Sequence, residues 1–136
     1  MRNRFFVIVL LVLVIPAINA LPPIDDLINA LGRPVPTVAE RVNMNQYAKL
    51  ISYSNVLTVQ QSYVAYSGVV TESSYLWAGD VERISWEIWD YLESLDKLTQ
   101  KDNYFTVSKN GYRYILFPIK KNDSGKDIVQ LTVIYD

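Results

Sequence analysis

Hydrophobic and polar positions fall into three regimes along the chain. The first is continuous. Phe5 to Ile15 is an apolar run of eleven residues, preceded by Arg2 and Arg4, broken by Pro16 and followed by Ala17-Ile18-Asn19-Ala20. A positive start, a short apolar stretch and small or apolar residues before a cut site form the pattern of a secretory signal peptide. A membrane-spanning helix needs ~20 apolar residues, and this run is shorter and holds a proline. Residues 1–20 are therefore expected to be cleaved after Ala20. The alternative is an uncleaved anchor that extends through Leu21. Both readings put the rest of the chain outside the cytoplasm, secreted or otherwise extracytoplasmic.

The second regime has helical spacing. Ile24, Leu27, Ile28 and Leu31 predict a short helix ended by Gly32, and the proline-rich stretch "RPVPT" closes a 21–36 segment. Thr37-Val-Ala-Glu40 has the form of a capping box. Met44, Tyr47, Ala48 and Ile51 follow three and four apart, which predicts a helix over 38–53. The clearest helix follows Gly79-Asp80, with Asp80 as its N-cap. Val81, Ile84, Ile88, Leu92 and Leu95 form its apolar stripe, with Tyr91 at the edge. Arg83 and Glu87, and Glu93 and Lys97, are opposite charges four apart.

The third regime is rich in Val, Thr and Tyr and reads as strands. "NVLTVQQSYVAYSGVVTES" reads as two strands, over 56–61 and 63–72, with Ser67-Gly68 as an alternative break. Asn110-Gly111 marks a hairpin with strands over 104–109 and 112–117. A two-residue turn sets Lys109 opposite Tyr112, Val107 opposite Tyr114 and Phe105 opposite Leu116. Apolar groups on both faces make this hairpin central in its sheet. Pro118 cannot donate to a ladder and marks a strand end or edge. In the last strand Val129, Leu131, Val133 and Tyr135 share one side. Ending the chain without a cap, it is expected to leave an edge open to another chain.

The sum is an α+β domain over 37–136: two main helices packed on a mostly antiparallel sheet of about five strands, in the order α-β-β-α-β-β-β, after the N-terminal segment. That order resembles the roadblock, longin and profilin type of domain, in which a mixed sheet carries helices. The resemblance spans about Thr37 to Asp136 and rests on element order. It implies an interaction or sensing module. Domains of that type are mostly cytoplasmic, whereas the N-terminal segment here points out of the cytoplasm.

Composition acts by exclusion. The 136 residues hold 13 basic and 14 acidic side chains. Removing residues 1–20, with Arg2 and Arg4 and no acid, leaves a net charge of −3 on 116 residues. A mildly acidic domain has no electrostatic reason to hold nucleic acid. Cysteine and histidine are both absent. No disulfide, thiol nucleophile, imidazole base or zinc site built on these ligands can form. The acids beside the clearest helix, among them Glu82, Glu93 and Asp96, interleave with Arg83 and Lys97 as on a solvated face. No catalytic, cofactor-binding or metal-binding residue is assigned. Lys120, Lys121 and Lys126 make a weak basic loop beside Asp123 and Asp127.

Aromatics add the one positive indication. All ten Tyr and three Trp lie beyond residue 20. Trp89 flanks the helix stripe. Trp86 lies away from it, where only a partner or an overlying loop such as "TESSYLWAG" would cover it. Tyr and Trp are favoured at interfaces because they bury large areas and keep a polar handle. Trp86, Trp89, Tyr75 and Trp77 are the candidate interface. Asn122-Asp-Ser124 fits the N-glycosylation pattern.

The expectation is an exported, non-enzymatic binding domain that engages a protein partner, or another copy of itself, through an aromatic helix face or an exposed strand edge. Alternatives are an accessory subunit held in a membrane by residues 1–20, and a small carbohydrate-binding module.

Overall fold

The structure, a computed structural model, describes residues 21–136; the expected signal peptide or anchor lies outside them. Within them, alternation of period two dominates. Eight strands run in chain order: β1 (Glu40–Asn43), β2 (Gln46–Tyr53), β3 (Leu57–Tyr66), β4 (Val69–Gly79), β5 (Thr99–Gln100), β6 (Phe105–Lys109), β7 (Tyr112–Lys121) and β8 (Asp127–Tyr135). They form one sheet in the order β1-β2-β3-β4-β8-β7-β6-β5, and every neighbouring pair is antiparallel. Two four-stranded meanders are thus joined through β4 and β8. Helix α1 (Asp25–Ala30) precedes the first meander, and α2 (Glu82–Leu95) links the two.

Both helices lie on the same side of the sheet. From that side Val59, Tyr63, Tyr75, Trp77, Leu116, Val129, Leu131 and Val133 meet Leu27, Ile84, Ile88 and Leu92 in one core. The α2 stripe is as its spacing predicts: Val81, Ile84, Ile88 and Leu92 are buried, and Leu95 packs against the core. Helix α1 belongs to the same core through Ile24, Leu27 and Leu31. The Tyr75 hydroxyl donates to the Pro23 carbonyl at 2.8 Å and ties down the start of α1.

Several expectations are corrected. The fold is a large antiparallel sheet with one six-residue and one fourteen-residue helix, in place of five strands under two main helices. The expected helix over 38–53 is the β1–β2 hairpin. Half of this stretch is Val, Ile, Tyr, Ser and Asn, mediocre helix formers, and half is good helix formers, so propensity does not decide the outcome. β2 instead pairs with β3 from Gln46 to Tyr53, with one register shift between Leu50 and Ser52. With that helix gone, the element order that resembles roadblock, longin and profilin domains is not the order of this chain.

The break between the next two strands is at Ser67-Gly68, where both residues have positive φ. β4 then runs on through the stretch expected to be a loop over Trp86. Asp80 does not cap α2: the cap position is Val81, no side chain bonds there, and the Asp80 N–H donates to the Val56 carbonyl at 2.7 Å. Arg83 and Glu87 approach to 3.9 Å. Glu93 and Lys97 form no ion pair among the described residues, because α2 ends at Leu95.

The Asn110-Gly111 hairpin has the expected register. Pro118 lies inside β7, where pairing with β8 becomes irregular between Phe117 and Lys120. The last strand is not an edge. β8 sits between β4 and β7, with Val129, Leu131 and Val133 at 0–1% exposure. It offers no free ladder to another chain; the sheet's edges are β1 and β5.

Candidate functional site

The sheet has a second face that no helix covers. Register places its side chains in rows that cross the strands. One row is small: Ala48, Ser62, Ser74 and Thr132 stand side by side on β2, β3, β4 and β8. The next row on one side is long: Leu50, Gln60, Leu76, Gln130 and Phe117. On the other side stand Gln46, Val64 and Glu72. Same-face residues on one strand are roughly 7 Å apart. Two long rows flanking a short one therefore make a trough across the strands. Its floor spans four strands, about 14 Å at the usual strand spacing.

The trough encloses about 250 Å³, and Glu72 is the one charged side chain among the residues that line it. Its floor carries the hydroxyls of Ser62, Ser74 and Thr132. Ser74 Oγ and Thr132 Oγ1 are 2.7 Å apart. Gln130 Nε2 donates to Thr132 Oγ1 at 3.1 Å, and Gln60 Nε2 donates to Ser62 Oγ at 3.3 Å. Each glutamine is thus held over the hydroxyl two residues along its own strand. Ser74 and Thr132 are buried without any helix above them, shaded by the long rows.

The β1–β2 segment carries most of the exposed apolar side chains, and Val42, Leu50 and Tyr53 among them are on this face. Seven of the twelve large exposed apolar or aromatic residues fall between Val38 and Val56. Val42 lines the trough, Leu50 and Tyr53 stand on the same face of β2, and Met44 at the hairpin tip is 75% exposed. Arg41 folds onto the tip: Nη2 donates to the Met44 carbonyl at 2.8 Å and Nε to the Asn43 carbonyl at 3.3 Å.

The titration shifts belong to the other side of the sheet. Burial raises Tyr63, Tyr75 and Tyr91, and it pushes Tyr114 up to about 12, with Tyr91 and Asp25 adding to it. Tyr63, Tyr75 and Tyr114 are core phenols, and Tyr91 packs half-buried against the core. Among the described residues, no three His, Cys, Asp or Glu side chains are grouped to hold a metal ion. With one carboxylate, amides, hydroxyls and aliphatic groups, the trough can hydrogen-bond and pack. It lacks the two facing carboxylates that acid-base cleavage of a glycoside needs.

The four candidate aromatics do not form one surface. Tyr75 and Trp77 are 1% exposed, on the helix-covered side of β4, and their rings tilt against each other at 5.6 Å. As core residues they present nothing to a partner. Trp89 is half-buried with its ring edge-on to Phe105 at 4.8 Å. Trp86 alone is open, 63% exposed, in a shallow groove with Ile119, Asp80 and Asp127. The trough and the apolar hairpin escaped the sequence reading. The Gln-x-Ser at 60–62 and Gln-x-Thr at 130–132 are visible in it, but only the register sets them in the same two rows, on either side of β4.

No helix among the described residues is long and apolar enough to cross a membrane. No protein-family model, curated protein or solved structure matches the chain.

Proposed function

We propose that the chain is an exported, non-enzymatic domain that binds a protein partner, and that its working surface is the β1–β2 side of the open sheet face together with the adjoining trough. One observation carries this reading: seven large apolar or aromatic side chains are exposed between Val38 and Val56, and three of them, Val42, Leu50 and Tyr53, stand on the open sheet face beside the trough. Exposed apolar patches of several hundred Å² mark interaction sites on otherwise soluble domains. Glu72 lines the trough and Glu40, opposite Ala48, continues the small row onto β1, so a partner that docks here has to match these two carboxylates as well as the apolar side chains.

A protein surface is preferred over a small ligand on size. Pockets for small ligands typically hold ~300–1,000 Å³, and the trough at about 250 Å³ falls below that range. It serves better as a slot for side chains of a partner laid across the strands. Trp86, remote from the trough lining, is a separate exposed aromatic and not part of this surface.

The test uses the full chain in its native organism, with a photo-crosslinking residue at Leu50 or, as a control, at Glu93 on the exposed side of α2. A discrete protein adduct at Leu50 that is absent at Glu93 and abolished by Val42→Asp supports the surface. Equal labelling at both positions, or adducts at Glu93 alone, would rule it out.

A further inference from the structure

We propose that Asn122 is a site of N-linked glycan attachment. The Asn122-Asp123-Ser124 triplet forms the turn that joins β7 to β8, and Asp123, Ser124, Gly125 and Lys126 are all exposed there. The Asn122 N–H donates to the Lys126 carbonyl at 2.8 Å, and the Gly125 N–H donates to the Asn122 carbonyl at 3.0 Å. A bulky adduct at this tip displaces nothing in the core.

The side chain is oriented by its neighbours. Asn122 Oδ1 accepts from the Ser124 N–H at 3.0 Å, from the Lys126 N–H at 2.9 Å and from Ser124 Oγ at 2.9 Å. Two of these donors are backbone N–H groups, which cannot accept. The atom facing them must therefore be the oxygen, and the choice between amide O and N is settled by chemistry. Nδ2 is left without a protein partner among the described residues, with the Ser124 hydroxyl beside the same carboxamide. Both groups that define the acceptor pattern thus lie together at the turn, Ser124 exposed and Asn122 half-buried.

The reaction requires a lipid-linked phosphosugar donor and its transferase. The Nδ2–C1 bond to the sugar forms, the bond from C1 to the phosphate oxygen breaks, the lipid phosphate leaves, and one Nδ2 proton passes to a base of the transferase. Nothing is oxidised or reduced. The inference rests on the export reading, since the chain must reach the compartment that holds such a donor. The glycan would not obstruct the trough. Thr132 on the floor is five residues along β8 from Asp127 at the turn, roughly 17 Å of strand.

Intact mass of the protein purified from its native organism tests this, alongside Asn122→Gln, Ser124→Ala and Asp123→Ala. The expected result is a wild-type mass above that of the polypeptide by whole sugar residues, kept in Asp123→Ala and lost in the other two. A native mass equal to the bare polypeptide overturns the proposal, as does an added mass that survives Asn122→Gln. The same spectrum reads the first residue. A bare chain that starts at Leu21 leaves the export reading standing without the glycan. A bare chain that starts at Met1 in the cytoplasmic fraction removes both.

Discussion

Ser74 and Thr132 meet hydroxyl to hydroxyl at 2.7 Å across β4 and β8, on the floor of the open face. The pair stands where the two meanders join. Its two members are not equivalent. Thr132 Oγ1 also receives Gln130 Nε2, whereas Ser74 Oγ has Thr132 as its one side-chain partner among the described residues.

That inequality gives the first prediction. Thr132→Val leaves the Ser74 hydroxyl buried and unpaired, which costs ~1–3 kcal/mol. Ser74→Ala leaves Thr132 still bonded to Gln130 and costs about 1 kcal/mol or less. The double variant is destabilised by less than the sum of the two, because it removes the orphan along with the bond. Urea unfolding of the four proteins measures all three terms.

Gly79 ends β4 with φ +122°, and a Cβ there would run into the Val56 carbonyl oxygen. That same carbonyl accepts the Asp80 N–H. Gly79→Ala therefore combines backbone strain with displacement of the link that leads into α2. A loss of at least ~2 kcal/mol is expected, read as a lowered urea midpoint with no change in slope.

Trp77 and Trp86 predict opposite outcomes for the same substitution. Trp77→Ala empties a fully buried site and costs ~3–5 kcal/mol. Trp86→Ala removes a ring that is mostly in water and changes stability by no more than ~0.5 kcal/mol. Thermal melts separate the two. A large loss at Trp86 would mean that its ring is covered in solution.

Alkaline pH should unfold the domain through its phenols. Tyr63, Tyr75, Tyr91 and Tyr114 are raised from an ordinary value of 10.0, chiefly by burial. For Tyr114 the folded value is about 12. The folded state holds these protons more tightly than the unfolded chain does. The stability they contribute is therefore complete below pH 10 and is lost as pH rises towards about 12. The urea midpoint should fall across that window, and Tyr114→Phe should flatten the fall. A midpoint independent of pH there would contradict the burial of these rings.

Local elements were legible where one rule sufficed. The α2 stripe needs only its own spacing, and the Asn110-Gly111 turn fixes the β6–β7 register by itself. The β1–β2 hairpin was misread because Met44, Tyr47, Ala48 and Ile51 satisfy a helical period, while Gln46, Ala48 and Leu50 also alternate with Tyr47 and Lys49. The central place of β8 depends on β4, some fifty residues earlier in the chain. The trough is less legible still. Ala48, Ser62, Ser74 and Thr132 are unremarkable in the sequence and become a floor only when four strands align.

Met44 offers the most direct test of the binding surface. It sits at the tip of the β1–β2 hairpin at 75% exposure, and Met1 is the only other methionine in the chain. Exposed methionine is oxidised readily to the sulfoxide. The measurement is the rate of Met44 sulfoxide formation under dilute peroxide, for the purified protein and for the protein in place in its native cells or envelope fraction, normalised to a fully exposed methionine peptide. The account predicts rapid oxidation of the purified chain and several-fold protection in place, with protection lost in Val42→Asp. Equal rates in both settings would mean that this face meets no partner, and would contradict the central claim.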